Sequence, residues 1–259
     1  THVFQPTPQA ARVVAEADVL FINGLGFEGW LERLVEAAPF VGTLVVTTTG
    51  IDPIAFTGHD DDGQGSENEE HHGEHGAFDP HAWHSLNNAI VYANNIASGL
   101  AQVDPANAGV YYSNHKDFVA EVKALKVELD TMMDTLSIDK RTVVTPHDAF
   151  GYFAKGYNLR FQAPQGLSTE SEASAKDVAK LIILIRKENI SAVFVESITD
   201  NRLMEQIANE TGAVIGGKLY SDALSSEDEP ASTYLDMVRH NAETIFQALD
   251  RQDRLLAID

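Results

Sequence analysis

With 259 residues, 44% of them hydrophobic, the chain is long enough for one large domain or two ordinary ones and can bury a core, which excludes wholesale disorder. Its 18 basic and 39 acidic side chains give a formal net charge of −21, which argues against nucleic acids and anionic membranes as partners and favours cations. The absence of cysteine excludes disulfides and thiolate metal sites, so any transition metal must be held by His and carboxylate side chains.

The first part of the chain alternates helices and strands. Apolar periodicity predicts helices at 8–17 and 27–38 and buried strands at 19–23 and 44–48. The chain begins Thr-His-Val-Phe, without an initiator Met or a signal peptide, so we expect a processed or truncated product. No apolar run approaches the ~20 residues that span a bilayer.

An acidic, His-rich segment follows the second strand, at 59–76. It reads HDDDGQGSENEEHHGEHG and holds seven acidic side chains but no Lys or Arg. Its lack of apolar periodicity predicts a surface loop. The interleaved imidazoles favour weak, multivalent metal capture, although a solvated acidic insertion would also fit the charge run. These histidines are His59, His71, His72 and His75.

A long helical pattern occupies the middle of the chain. After a helix at 85–102, apolar residues recur every three or four positions across 104–136. At 1.5 Å per residue, ~30 residues form a rod of roughly 45 Å, which suggests a spine between two lobes. The alternation then resumes. Strands are predicted at 142–145, 159–163, 192–195 and 213–220, and helices at 149–157, 174–189, 201–211 and 231–250.

This order of elements predicts an α/β fold with two βα lobes, each with parallel sheets, joined by one long rigid helix. We predict an N-terminal lobe at 1–104 with the acidic His-rich loop at 57–77, a joining helix at 105–137 and a C-terminal lobe at 138–259. Ligands of parallel sheets bind beyond the carboxyl ends of the strands, so a site is expected where the two lobes face each other.

Four potential metal ligands stand at predicted strand ends or next to helices: His2, His81, His147 and Asp222. Three imidazoles and one carboxylate would complete a tetrahedral zinc shell. Each residue also has a plainer interpretation, because a lone His often makes a structural hydrogen bond, and Asp222 or Ser221 could cap a short turn. The spacing leaves both interpretations open, since it contains no compact metal motif such as H-E-x-x-H.

Several stretches of the sequence together resemble one known family. They are HVFQPTPQAARVVAEADVLFINGLGFE, DPHAW, TPHDAFGYFAKGYNL, GLSTESEASAKDVAKL, FVESITDNRL and TGAVIGGKLYSDAL. In this order they resemble the metal-specific solute-binding proteins of ABC importers (cluster A-I, zinc and manganese), with the closest likeness to the zinc branch of ZnuA/AztC-like proteins. The resemblance implies a non-enzymatic periplasmic protein that binds one metal ion between two lobes and delivers it to a membrane permease.

The resemblance also implies the ligands, which it places at His2, His81, His147 and Asp222. Manganese relatives usually carry Glu at the position of His147, and an imidazole there favours Zn²⁺ as the cargo. The acidic loop would then aid zinc capture, or receive zinc from a periplasmic metallochaperone. We expect a monomer that binds no nucleic acid.

Two features depart from the family pattern. The family has a strand–helix–strand segment before the first ligand, whereas this chain begins one residue before His2, so the N-terminus is expected to be cut or the lobe incomplete. His84 stands where the family has an apolar or acidic residue. We interpret His84 as a structural or rim residue, with the alternative that it is a further ligand.

Other candidate residues have supporting rather than ligating interpretations. Glu196 and Glu170 could accept hydrogen bonds from ligand histidines, a common arrangement at metal sites, or could cap helices. His115 is expected to be solvated, and His240 to make a hydrogen bond between helices. Two rival functions stay open at this point. One is a protein of the same fold that binds manganese or another divalent metal, and the other is a zinc hydrolase with three ligands, a bound water and Glu196 as its base.

Overall fold

Helices and strands alternate along the chain in a computed structural model. The model describes residues 4–5, 7–37, 40–56, 78–137, 141–167, 169 and 172–256. The helices are α1 (Pro8–Glu16), α2 (Leu31–Ala37), α3 (Leu86–Val103), α4 (Ala108–Met133), α5 (Gly151–Tyr157), α6 (Ala175–Glu188), α7 (Arg202–Thr211) and α8 (Tyr234–Leu256). The strands are β1 (Val19–Ile22), β2 (Thr43–Val46), β3 (Thr142–Val144), β4 (Arg160–Gln162), β5 (Ala192–Glu196) and β6 (Val214–Leu219).

The strands pair in parallel, as the alternating pattern predicted. β1 pairs with β2, β3 with β4, and β5 with β6, and within each pair a helix lies between the two strands in the chain. Parallel neighbours need such a crossover connection, since a tight turn cannot return the chain in the same direction. β5 is buried along its whole length, which explains its unbroken apolar run AVFV. The α/β class with parallel sheets and a long joining helix is confirmed.

The joining helix α4 is shorter than the sequence pattern predicted. Its 26 residues correspond to about 39 Å at the usual rise of 1.5 Å per residue. It begins at Ala108 because Asp104 ends α3 and a separate 3-10 turn, Pro105–Asn107, lies between the two helices. The Asp104 carboxylate accepts a hydrogen bond from the Tyr111 hydroxyl at 2.7 Å, which fixes this corner.

The end of α4 is held by Arg141. Its guanidinium donates to the carbonyl oxygens of Met133 at 3.2 Å and Leu136 at 2.9 Å, at the end of the helix where carbonyl groups lack the next turn as a partner. α4 contacts both α3 and α8. We call α1–α3 with β1 and β2 the N-terminal lobe, and the elements from β3 onwards the C-terminal lobe. The boundaries at 104/105 and 137/138 stay predictions.

Helix α2 begins at Leu31, later than the apolar pattern predicted. The Glu28 carboxylate accepts hydrogen bonds from the backbone N–H groups of Asn23, at 2.5 Å, and Gly24, at 3.0 Å. The residues before it therefore form a turn instead of a helix. Gly24 and Gly26 have φ values of +85° and +80°, a left-handed conformation that glycine adopts without a steric penalty.

Two buried clusters form the core. The larger one lies between α4, α5 and α8 and the strands of the C-terminal lobe, and Leu86 of α3 joins it from the N-terminal lobe. The smaller one packs α6 and α7 against β5.

Among the described residues, no helix is both long and apolar enough to cross a membrane.

Candidate metal centre

Three of the four predicted ligands lie together in the structure. His81, His147 and Asp222 each offer a ligand atom, and these atoms all lie within 4.8 Å of one another. Asp222 Oδ1 lies 3.7 Å from His81 Nε2 and 3.8 Å from His147 Nε2, and all three side chains are 0% exposed. Ligand atoms about 2.0 Å from a tetrahedral zinc ion lie about 3.3 Å apart. The distances from Asp222 to the two histidines would therefore have to shorten only slightly to suit this ion.

The three residues reach the centre from opposite lobes. His147 follows β3, where it bridges to Gln165, and Asp222 follows β6, so both lie beyond the carboxyl ends of parallel strands. His81 comes from the N-terminal side, directly before the short 3-10 helix Ala82–His84. The predicted position of the centre between the lobes is confirmed.

The carboxylate of Asp79 holds His81 in place. Asp79 Oδ1 lies 2.7 Å from His81 Nδ1 and also accepts the backbone N–H of His81 at 2.9 Å. A carboxylate at Nδ1 leaves Nε2 to face the centre and makes it a better metal donor. Sequence reasoning missed Asp79, although its position two residues before a candidate ligand was a usable signal.

Glu196 holds His147 in the same way from the end of β5. Glu196 Oε2 lies 2.7 Å from His147 Nδ1 and accepts the Ser221 hydroxyl at 2.6 Å. Glu196 Oε1 accepts the backbone N–H of His147 at 3.3 Å. The predicted supporting contact is confirmed. Because protein groups engage both of its oxygens, Glu196 is poorly placed to act as the general base of a hydrolase.

The charges around His147 favour its protonated form in the absence of a metal. Burial alone would lower the pKa of this imidazole, but the carboxylates of Glu196 and Asp222 outweigh burial and raise the pKa to about 10. A cation that binds here must displace the proton, because only the neutral imidazole can donate to a metal.

His84 is a core residue and lies outside the group of three. Its side chain is buried, and its ring lies 4.6 Å from that of Phe150 in the C-terminal lobe. Burial, together with the nearby histidines, lowers its pKa to about 3, so His84 is neutral at physiological pH. The structural interpretation of His84 therefore holds, and the rim position is wrong.

Two further histidines lie away from the metal centre. His240 Nε2 lies 3.0 Å from the carbonyl oxygen of Lys218, so the contact joins a helix to a strand and not two helices. His115 is half-buried on α4, where it lines a groove of about 380 Å³ with Lys116 and Lys123. Neither residue is part of the group around Asp222.

The remaining candidates lie outside the described residues, and their roles stay predictions. They are His2, His59, His71, His72, His75 and Glu170.

Comparisons with known proteins cover nearly the whole chain. Residues 1–248 match the ZnuA family profile, described as zinc-uptake complex component A, periplasmic. The chain is 30% identical over 250 residues to the manganese-binding lipoprotein MntA of Halalkalibacterium halodurans, which covers 96% of this chain and 78% of the relative. It is 33% identical over 244 residues to the iron-binding protein YfeA of Yersinia pestis, which covers 94% and 74%.

The structural comparison points the same way. The periplasmic zinc binding protein TroA of Treponema pallidum superposes with a TM-score of 0.82 at 26% identity, over 96% of this chain and 86% of that chain.

Proposed function

Because the chain belongs to the ZnuA family, whose members are divalent-metal solute-binding proteins of ABC transporters, we propose that it captures Zn²⁺ and delivers it to an ABC permease. Solute-binding proteins are not enzymes, so the activity is binding and release without a chemical step. The buried group of His81, His147 and Asp222 carries the proposal. Its two imidazoles are each backed by a carboxylate, which is the usual arrangement around zinc-binding histidines.

Zinc is favoured over manganese by the nature of these ligands. Imidazole nitrogen suits Zn²⁺, whereas Mn²⁺ prefers carboxylate, carbonyl and water oxygens. We propose that His2 supplies a third imidazole and completes a tetrahedral shell. The runner-up is a manganese or iron cargo, since similar proteins are named for each of these metals.

Competition between metals tests the cargo. Protein purified without added metal is titrated with Zn²⁺ and Mn²⁺ against a chelating dye. We expect one tight site with an affinity for Zn²⁺ at least about 100-fold above that for Mn²⁺, because two or three nitrogen ligands favour zinc in the usual order of metal affinities. The matched variant is His147→Glu, which replaces an imidazole with a carboxylate. It should reduce the ratio between the affinities for Zn²⁺ and Mn²⁺.

Equal affinities of the wild-type protein for the two ions would contradict zinc as the specific cargo. The more general function of a divalent-metal carrier would then still stand. The absence of any tight site for a divalent ion would overturn the proposed function as a whole.

The acidic loop is proposed to gather zinc or to contact a periplasmic zinc metallochaperone. Four imidazoles among carboxylates can hold zinc weakly, and this segment contributes none of the three residues of the buried group. Deletion of 59–76 is therefore expected to leave the tight site intact, while lowering the stoichiometry or slowing loading. Isothermal titration and stopped-flow loading measure both effects. Loss of the tight site in the deletion variant would contradict this role.

Location follows from the family. The family profile and TroA are described as periplasmic and MntA as a lipoprotein, which supports a location outside the cytoplasmic membrane. We place it in the periplasm, where a permease can receive the ion. The monomeric state stays a prediction.

A further inference from the structure

Trp83 ties the segment that carries His81 to the opposite lobe. Its indole N–H donates to the carbonyl oxygen of Ser221 at 2.9 Å. Its own carbonyl oxygen accepts the hydroxyl of Tyr234, the first residue of α8, at 2.8 Å. The indole ring lies against the N-terminal lobe, with its centroid 5.3 Å from that of His81 and 5.1 Å from that of Phe27. Trp83 therefore bridges the two lobes immediately beside the metal centre.

Ser221 connects this bridge to the other two ligands. It is 1% exposed and directly precedes Asp222. Its carbonyl oxygen accepts from Trp83, while its hydroxyl donates to the Glu196 carboxylate that holds His147. Trp83 contacts His81, and Ser221 is joined to Asp222 by the chain and to His147 through Glu196. A displacement of Trp83 relative to Ser221 would therefore change the relative positions of all three residues.

We propose that Trp83, Ser221 and Tyr234 form a latch between the lobes that sets the rate at which the bound ion leaves. The proposal rests on the proposed function, because it requires a divalent ion held by residues of both lobes. An ion so held escapes when His81 parts from His147 and Asp222. That separation must break the hydrogen bonds of the latch. Trp83 and Tyr234 are positioning residues, since neither contributes a ligand atom to the group of three.

Two variants remove the latch hydrogen bonds while keeping an aromatic ring at each position. Trp83→Phe removes the indole N–H and keeps an aromatic ring beside His81, and Tyr234→Phe removes only the hydroxyl. Loss of one hydrogen bond of this kind changes a rate by about three- to tenfold. Each variant is therefore expected to release the ion about three- to tenfold faster, with an association rate near the wild-type value.

The experiment uses the full chain loaded with one equivalent of Zn²⁺ or Co²⁺. Stopped-flow transfer to an excess of chelator gives the dissociation rate, and mixing with free metal gives the association rate. The absorption spectrum of the Co²⁺ protein should be the same in both variants as in the wild type, because the ligands are unchanged. Tyr111→Phe is the matched control, since it removes a hydroxyl that donates to Asp104 at 2.7 Å, far along the chain from the centre.

Faster release in Trp83→Phe and Tyr234→Phe, with wild-type release in Tyr111→Phe and unchanged Co²⁺ spectra, would support the latch. Wild-type release rates in both latch variants would overturn it, and so would equally fast release in Tyr111→Phe, which would indicate general loosening. A changed Co²⁺ spectrum would overturn it as well, because the residues would then act on the ligand set itself. Wild-type protein that holds neither ion would instead refute the proposed function.

Discussion

Replacement of His147 or Asp222 by alanine is expected to lower the affinity for Zn²⁺ by at least about 100-fold. Complete protein zinc sites contribute about 10–16 kcal/mol, so one ligand of four accounts for about 3 kcal/mol, which corresponds to about 100-fold in affinity. Both side chains are fully buried, and water would replace the lost ligand poorly in such a centre. Competition with a chelating dye at fixed pH measures the loss.

His240→Ala is the matched control for this prediction. His240 contacts the Lys218 carbonyl oxygen and lies outside the group of three, so its removal should leave the affinity close to that of the wild type. Circular dichroism of each variant separates loss of a ligand from loss of the fold. Wild-type affinity in both His147→Ala and Asp222→Ala would eliminate this centre as the binding site.

The affinity for Zn²⁺ is expected to rise steeply with pH. The Glu196 and Asp222 carboxylates raise the pKa of His147 to about 10 against the opposing effect of burial, so the metal-free centre holds a proton throughout the physiological range. Metal binding must release this proton. The apparent affinity should therefore increase about tenfold per pH unit below the pKa, or about 100-fold between pH 6 and pH 8. Dye competition at several pH values measures the slope, and titration calorimetry in two buffers counts the released protons.

Glu196→Gln tests whether the negative charge of Glu196 causes the raised pKa of His147. The amide keeps a hydrogen-bond acceptor near His147 Nδ1 but removes the negative charge, so burial should lower the pKa of His147 and flatten the pH dependence. The variant should also bind about 10- to 100-fold more weakly at pH 8, as for other carboxylates that support a metal-bound histidine. The same slope in the variant and the wild type would show that Glu196 does not hold His147 in its protonated form.

Most of the centre can be predicted from the residues that follow strands in the sequence. His147 and Asp222 follow predicted parallel strands, and the rule that ligands bind beyond the carboxyl ends of such strands brought them together. His81 came from the DPHAW motif and the resemblance to a metal-binding family. Glu196 was expected to support a ligand, and its contact with His147 is present.

The contact between Trp83 and Ser221 could not be predicted in the same way. The bond between the Trp83 indole and the Ser221 carbonyl joins residues 138 positions apart, and no local pattern encodes such a pairing. The full burial of His84 likewise depends on Phe150 from the other lobe. The late start of α2 depended on where the Glu28 carboxylate points, which the apolar periodicity does not report.

The fold class, the alternation of elements, the joining helix and the restriction to His and carboxylate ligands follow from the sequence alone, because they depend on local periodicity and on a composition without cysteine. The sequence also determined the family. The tertiary structure decided which histidines share a centre, which carboxylates orient them and how the lobes are tied together. These properties arise from contacts between distant residues. The Glu196 and Asp222 carboxylates set the charge on His147 against the effect of burial, and Ser221 finds its hydrogen-bond partners in Trp83 and Glu196.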